Sequence, residues 1–122
     1  MPILEIEIVL RPDEELTDDL PQLLADRLGD VFRSQPGETW LKLRPLPGHH
    51  YTENESTDDI YPVFVTVLKG QRPSIDEMQI EVTALTTAVA DICQRPFENV
   101  HIIYQPDALG RIAFGGKIAS KD

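Results

Sequence analysis

The chain has 122 residues, of which 41% are hydrophobic and 26% are charged, and its formal net charge is −10. A chain of this length builds one hydrophobic core, so we expect a single domain over residues 1–122. Surplus carboxylates would repel a phosphate backbone or an anionic membrane surface, so we expect no nucleic acid and no membrane among its partners.

A strand and a helix are predicted first. Residues 3–10 carry apolar side chains at every second position, the period of a half-buried strand. Apolar side chains then recur at helical spacing over residues 16–32. Pro21 is tolerated only in the first turn of a helix, so we expect the regular helix to begin near Asp18. The acidic residues 13–15 would place negative charge near its N-terminus, where the helix dipole favours it.

The middle of the chain predicts two strands separated by a loop. Residues 39–44 alternate again between apolar and polar side chains. Residues 45–59 are rich in proline, glycine, histidine and acidic residues, and this composition indicates a loop. Residues 61–68 are β-branched and aromatic, which predicts a strand.

The second half predicts a longer helix and a further strand. Ser74 opens a capping-box pattern, and apolar residues step by three and four over residues 75–92 until Pro96 stops the helix. Residues 99–104 predict a strand. Residues 109–118, with three glycines, indicate a short strand or hairpin arm.

This order contains an internal repeat. Pro2 and Pro62, 60 residues apart, each open a strand that leads through an Arg-Pro pair into an amphipathic helix. The repeats cover about residues 1–59 and 60–122. Because crossovers between parallel strands are right-handed, two β-α-β units predict an α+β fold. We expect a four-stranded mixed sheet with both helices on one face, plus a short C-terminal strand.

The other face of the predicted sheet has no cover within the chain. A sheet with one bare face of mixed polarity commonly covers it by oligomerising. The residues predicted on that face are Trp40, His101, Ile103, Glu5, Glu7, Lys42 and Arg44.

Three segments resemble the tautomerase superfamily. They are Met-Pro-Ile-Leu-Glu-Ile at residues 1–6, Val-His-Ile-Ile-Tyr at residues 100–104, and the Gly-Gly tail at residues 112–121. The tail is similar to that of 4-oxalocrotonate tautomerase, and the doubled length resembles fused members such as macrophage migration inhibitory factor. The resemblance implies the fold of that family, a homotrimer and an enzyme that needs neither a cofactor nor a metal.

The resemblance also implies a catalyst at the N-terminus. Met1 would be removed, and Pro2 would become a free secondary amine acting as general base on a small carboxylated keto or enol substrate. An α-amino group has a pKa of about 7.7–8.0 in water, and burial beside cations lowers it further. The alternatives are a dehalogenase-like or decarboxylase-like enzyme with protonated Pro2, and a non-catalytic trimeric binding module.

The resemblance assigns further site residues. Arg72, and with a less regular match Arg11, would bind the substrate carboxylate, the alternative for each being a solvated loop charge. His101 would donate to an enolate oxygen or shuttle a proton, or line a subunit contact. Glu38 would orient water or substrate, or be an ordinary turn residue. The expected substrate-contacting residues also include Lys42, Arg44, Trp40, Ile103 and Ile112.

The remaining features indicate an ordinary intracellular protein. The sequence opens without a signal-peptide pattern, and one cysteine cannot form an internal disulfide, so we expect a cytoplasmic location. Cys93 lies near the apolar stripe of the second helix and is interpreted as a buried small hydrophobe. His49 and His50 lack the ligand spacing of a closed metal site and are interpreted as loop residues.

Overall fold

The computed structural model of the chain describes residues 2–120; Met1, whose removal the resemblance implies, and residues 121–122 lie outside this range. None of the helices in the described range is long and apolar enough to cross a bilayer. The elements are β1 (Ile3–Val9), α1 (Leu20–Val31), β2 (Trp40–Leu46), β3 (Val63–Leu68), α2 (Ile75–Cys93), β4 (Val100–Tyr104), β5 (Ala113–Phe114) and β6 (Lys117–Ile118), with 3-10 turns at Gly48–His50 and Phe97–Asn99.

The predicted sheet is confirmed. Its strand order is β2-β1-β3-β4. The pairs β1–β2 and β3–β4 are parallel, and the central pair β1–β3 is antiparallel. Each parallel pair is therefore one β-α-β repeat, and the two repeats join through the antiparallel pair.

Both helices pack on one face of this sheet, as the repeat predicts. The core lies between the two layers, because alternate residues of β1 and β3 point toward the helices. Its fully buried large side chains include Leu4, Ile6, Ile8, Leu24, Leu28, Val63, Val65, Val67, Leu85 and Val89.

The predicted helices are observed with small differences. Helix α1 begins at Leu20, and Pro21 occupies its first turn, where a proline costs no hydrogen bond. Helix α2 begins after Ser74, whose hydroxyl accepts a hydrogen bond from the Glu77 amide at 3.3 Å. The expectation that residues 13–15 charge the first turn of α1 is wrong, because the first turn contains no acidic residue.

Two predicted boundaries also change. Strand β2 continues through Pro45 to Leu46. It lies at the edge of the sheet, where a missing amide proton breaks no ladder. The C-terminal arm is a hairpin of β5 and β6. Its turn residues Gly115 and Gly116 have φ of 56° and 87°, a conformation that side chains other than glycine rarely adopt.

Arg95 ties the ends of several elements together. Its side chain is 2% exposed. Two of its guanidinium protons go to the two carboxylate oxygens of Glu14, at 2.7 and 2.8 Å. The other three go to the carbonyl oxygens of Val9, Tyr61 and Cys93, at 2.8, 3.1 and 2.9 Å. All five donors of the guanidinium are thereby satisfied.

The Arg95–Glu14 pair makes the folding stability depend on pH. Hydrogen bonds from Arg95 hold the pKa of Glu14 at about 2, below its ordinary value of 4.5. Between these two pH values, Glu14 is therefore protonated in the unfolded chain and ionised in the folded chain. The pair's stabilising contribution is complete above about pH 5 and is lost as the pH falls toward 2.

We expect Arg95→Ala to lower the free energy of unfolding at pH 7 by about 3–5 kcal/mol, since it removes the buried partner of Glu14 and leaves only the more exposed Arg11. Arg27→Ala removes an exposed pair with Asp91 at 3.4 Å and should cost less than about 1 kcal/mol. Urea unfolding of both variants measures this. The gap between wild type and Arg95→Ala should narrow between pH 5 and 2. An Arg95→Ala protein as stable as Arg27→Ala would contradict the assignment.

Candidate active site

Pro2 is buried where β1 begins. Its carbonyl oxygen accepts a hydrogen bond from the Trp40 amide at 3.1 Å, which ties it to the start of β2. On its other side β3 ends, with Leu68 opposite Ile3. Pro2 is in phase with Leu4, whose side chain is buried beneath the helices. Its ring therefore belongs to the helix face, at the end of the sheet.

The C-terminal hairpin covers the open-face side of this end. Phe114 meets Trp40 edge to face, with ring centroids 5.4 Å apart. The Trp40 indole nitrogen donates to the Gly37 carbonyl at 2.9 Å, which fixes the ring. Between hairpin and sheet lies an apolar cavity of about 110 Å³, lined by Ile3, Leu68, Gly70, Ala108, Leu109, Ile112, Phe114 and Ala119.

A polar cluster lies on the helix-face side. The Lys69 ammonium is 2.9 Å from the Glu81 carboxylate and 5.2 Å from the centre of the Phe32 ring. The Tyr104 hydroxyl donates to the other oxygen of Glu81. Burial and the Glu81 carboxylate raise the pKa of Tyr104, so its phenol stays protonated.

Two predicted site residues lie at the same end. The Arg72 guanidinium donates through Nε to Asp107 at 2.8 Å, and the Arg72 amide donates to the same oxygen at 3.0 Å. Asp107 precedes Ala108, which lines the apolar cavity. Glu38 lies in the turn before β2, where its carboxylate accepts a hydrogen bond from the Gln35 amide. Pro2, Trp40, Ile112, Arg72 and Glu38 therefore share one end of the protomer.

Arg11 lies at the opposite end of β1. Eight residues of extended chain separate it from the proline's end of the strand, a span of about 25 Å. Its guanidinium binds Glu14 at 3.0 Å and the Gln94 carbonyl at 3.2 Å. Within one protomer, Arg11 cannot reach a substrate bound at Pro2.

The other predicted residues lie along the open face. The His101 ring contacts Phe64, with centroids 5.4 Å apart. Lys42 pairs with Glu5 at 2.7 Å, and this pairing lowers the pKa of Glu5. Ile103 is 51% exposed. Arg44 stands beside Glu7 in the β1–β2 register. By the strand register, Lys42 and Ile103 lie level with Glu5, three residues from Pro2 along the chain, and Arg44 and His101 lie farther away, level with Glu7.

A larger cavity lies elsewhere in the described part of the chain. It has a volume of about 550 Å³ and lies between the end of β1 and the loop after β2, beside Arg11. Five acidic side chains line it against one arginine, Arg11, and one histidine, His49, so it disfavours a carboxylated compound. No three histidine, cysteine or acidic side chains within residues 2–120 are grouped as a metal site requires. The Pro2 end is therefore the better candidate.

Cys93 is unsuited to nucleophilic chemistry. The thiol is buried, as interpreted from the sequence, and burial raises its pKa to about 11. A thiol with that pKa is protonated at neutral pH and reacts slowly.

Sequence reasoning missed the Lys69 cluster and Phe114. A signal for Lys69 was present in β3, where Val63, Val65 and Val67 are all buried. Lys69 continues that buried phase, and a buried ammonium needs an anionic partner. No comparable local pattern selects Glu81 on α2 or Tyr104 on β4 as that partner.

No protein-family model and no curated protein sequence matches the chain, but solved structures do. A fused 4-OT, a wild-type symmetric trimer, matches with a TM-score of 0.76 at 12% identity, covering 96% of this chain and 94% of its own. Macrophage migration inhibitory factor from Oncomelania hupensis matches with a TM-score of 0.75 at 14% identity, covering 98% and 82%.

The FG41 malonate semialdehyde decarboxylase, inhibited by 3-bromopropiolate, matches with a TM-score of 0.69 at 15% identity, covering 93% of this chain and 88% of its own. The chain therefore has the α+β fold shared by tautomerases and macrophage migration inhibitory factor. This confirms the fold that the sequence resemblance implies.

Proposed function

We propose that the chain is a cofactor-independent enzyme of the tautomerase superfamily, with the Pro2 amine as general base on a small carboxylated keto or enol compound. The observation that carries this proposal is the position of Pro2. It is buried at the start of β1, in a fold that a fused 4-OT shares over almost its whole length.

A secondary amine at this position suits proton transfer. With Met1 removed, the nitrogen of Pro2 has a lone pair, and its pKa starts from the lowest value of any ordinary amine in a protein. Burial disfavours the ammonium form. The neutral amine removes a proton next to the substrate carbonyl, and the resulting ammonium returns it to another carbon or oxygen.

Arg72 supplies the carboxylate anchor in this proposal. Asp107 holds the guanidinium through Nε at 2.8 Å. A guanidinium has two further nitrogens, and these can form two parallel hydrogen bonds to a carboxylate. The exposed position of Arg72 at the proline's end of the sheet supports this role.

We also infer a homotrimer, in which the open sheet faces of three protomers enclose a central barrel. Trp40 and Ile103 are large hydrophobic residues on that face, and both are about half exposed in one protomer. Assembly through that face would bury His101, which is exposed in one protomer. We also expect the C-terminal arm, Ile112–Ile118, to lie on a neighbouring subunit and extend its sheet; within one protomer its hairpin packs on Trp40.

The trimer predicts a solution mass about three times the 13.8 kDa of the protomer. Ile103→Asp should dissociate it, because it buries a charge without a partner in the barrel. Ile80→Asp is the matched control, since Ile80 is 73% exposed on α2. Light scattering at micromolar concentration measures both. A monomeric wild-type protein contradicts the trimer, and a dimer contradicts the barrel.

Arg72→Ala should raise KM about 10–150-fold with a smaller change in kcat, the effect of losing a charge-assisted hydrogen bond of about 1.5–3 kcal/mol. Arg72→Lys should recover only part of the loss, because an ammonium cannot reproduce the planar fork. Arg27→Ala on α1 is the control and should leave the kinetics unchanged. Unaltered KM in Arg72→Ala would make Arg72 an ordinary loop residue.

The free N-terminus provides the sharpest test of the function. Retention of Met1 converts the Pro2 nitrogen into an amide without a basic lone pair, so ketonisation of 2-hydroxymuconate should fall to background while the fold is kept. Pro2→Ala leaves a primary amine and should lose activity only in part. Mass spectrometry verifies each N-terminus. Full activity in a verified extended protein would exclude Pro2 as the catalyst and favour the binding module.

The pH profile separates the two enzymatic alternatives within that experiment. If the neutral amine is the base, kcat/KM rises with pH through the amine's pKa, at or below the ~7.7–8.0 of an ordinary terminus. If protonated Pro2 acts with Glu38, as in dehalogenase-like or decarboxylase-like chemistry, kcat/KM falls as the amine deprotonates.

A further inference from the structure

The strand register places Lys69 opposite Pro2. Ile3 pairs with Leu68 and Leu4 with Val67 in the antiparallel β1–β3 ladder. The next positions outward along this register are Pro2 and Lys69. Residues directly opposite in such a pair have Cβ atoms about 4.5–5.5 Å apart and project from the same face of the sheet. Lys69, the residue directly after β3, therefore lies opposite the proline by continuation of this register.

Its ammonium is held in place by groups from three other elements. Glu81 of α2 binds it at 2.9 Å, and the Phe32 ring after α1 lies beneath it. Tyr104 of β4 donates to Glu81 and fixes that carboxylate in turn. The side chains of Lys69 and Glu81 are only 23% and 13% exposed, so water screens this pair less than a surface pair.

We propose that Lys69 is the positioning residue that keeps the Pro2 amine unprotonated. This rests on the proposed function, in which that amine is the base. A cation beside an amine disfavours the ammonium form, and a carboxylate favours it. The register places Lys69 opposite Pro2, whereas Glu81 binds Lys69 from α2, so we assign the larger effect to the cation. Glu81 limits that effect and fixes the geometry.

The remaining charges at this end lie farther toward solvent and act weakly. They come from the turns beside β2 and β3 and from the C-terminal hairpin. Asp107 is half-buried and holds Arg72, and the others are exposed to solvent. These groups are Arg33, Glu38, Arg72, Asp107, Arg111 and Lys117.

The arrangement predicts opposite effects for two variants. Lys69→Met should raise the pKa of the Pro2 amine by about 1, because it removes the cation and leaves the carboxylate. Glu81→Gln should lower it, because it removes the carboxylate and keeps the cation. Lys69→Arg should keep the wild-type value. A purely structural role would not shift the pKa in two directions.

The experiment is a nitrogen NMR titration of the Pro2 amine in protein that begins at Pro2, without substrate. Arg27→Gln on α1 removes one positive charge elsewhere and controls for net charge. The Pro2 amine should have its lowest pKa in Glu81→Gln and its highest in Lys69→Met. Wild type and Arg27→Gln should share an intermediate value. The ascending limb of kcat/KM should move in the same order.

Two results would overturn the proposal. One is a Lys69→Met titration that matches Arg27→Gln. The other is a Glu81→Gln titration equal to or above wild type, and this near-isosteric variant decides the matter if Lys69→Met does not fold. The NMR titration measures the pKa of the Pro2 amine without substrate, so its result does not depend on catalytic activity. If the pKa of the Pro2 amine shifts as expected in a protein without activity, Lys69 controls that pKa but the proposed function is wrong. If the protein is active and the pKa does not shift, the proposed function stands and the role of Lys69 is rejected.

Discussion

The fold buries one arginine, and it can do so only because five acceptors converge on that side chain. Arg95 gives two protons to Glu14 and three to carbonyl groups at the end of β1, before β3 and at the end of α2. A guanidinium without these acceptors would be too costly to bury. The contact joins both repeats at one end of the sheet, and it thereby helps to fix how β1 and β3 align at the other end, where Pro2 lies.

The length of β1 then determines what one protomer can do. It separates Pro2 and Arg72 at one end from Arg11 and the acidic cavity at the other. In the proposed function, Arg72 binds the carboxylated compound at the Pro2 end, while the acidic side chains at the other end disfavour its binding there. On the open face Glu5 pairs with Lys42, and Arg44 is the register neighbour of Glu7, so opposite charges lie side by side there. These features together support assembly around that face.

The sequence predicted most of the fold because periodicity is local. The alternation of β1 and β3 and the helical spacing of α2 are visible in short windows, and the repeat set the sheet topology. The partners Arg95 and Glu14 are 81 residues apart, so no local sequence pattern indicates their contact. Arg95 directly precedes Pro96 after α2, and Glu14 is one of the acidic residues that were expected at the start of α1. The partners of Lys69 were not predicted for the same reason. The role of Pro2 was predicted from the family resemblance and not from periodicity.

The central claim is that the Pro2 nitrogen is a reactive, neutral amine, and covalent trapping tests it most directly. Protein beginning at Pro2 would be incubated with 3-bromopropiolate, a small carboxylated electrophile, and the modified residue located by peptide mass spectrometry. The account predicts one adduct per protomer, on Pro2, forming faster as the pH rises through the amine's pKa and then reaching a plateau. Adducts confined to lysine side chains, or a folded protein with unmodified Pro2, would contradict it.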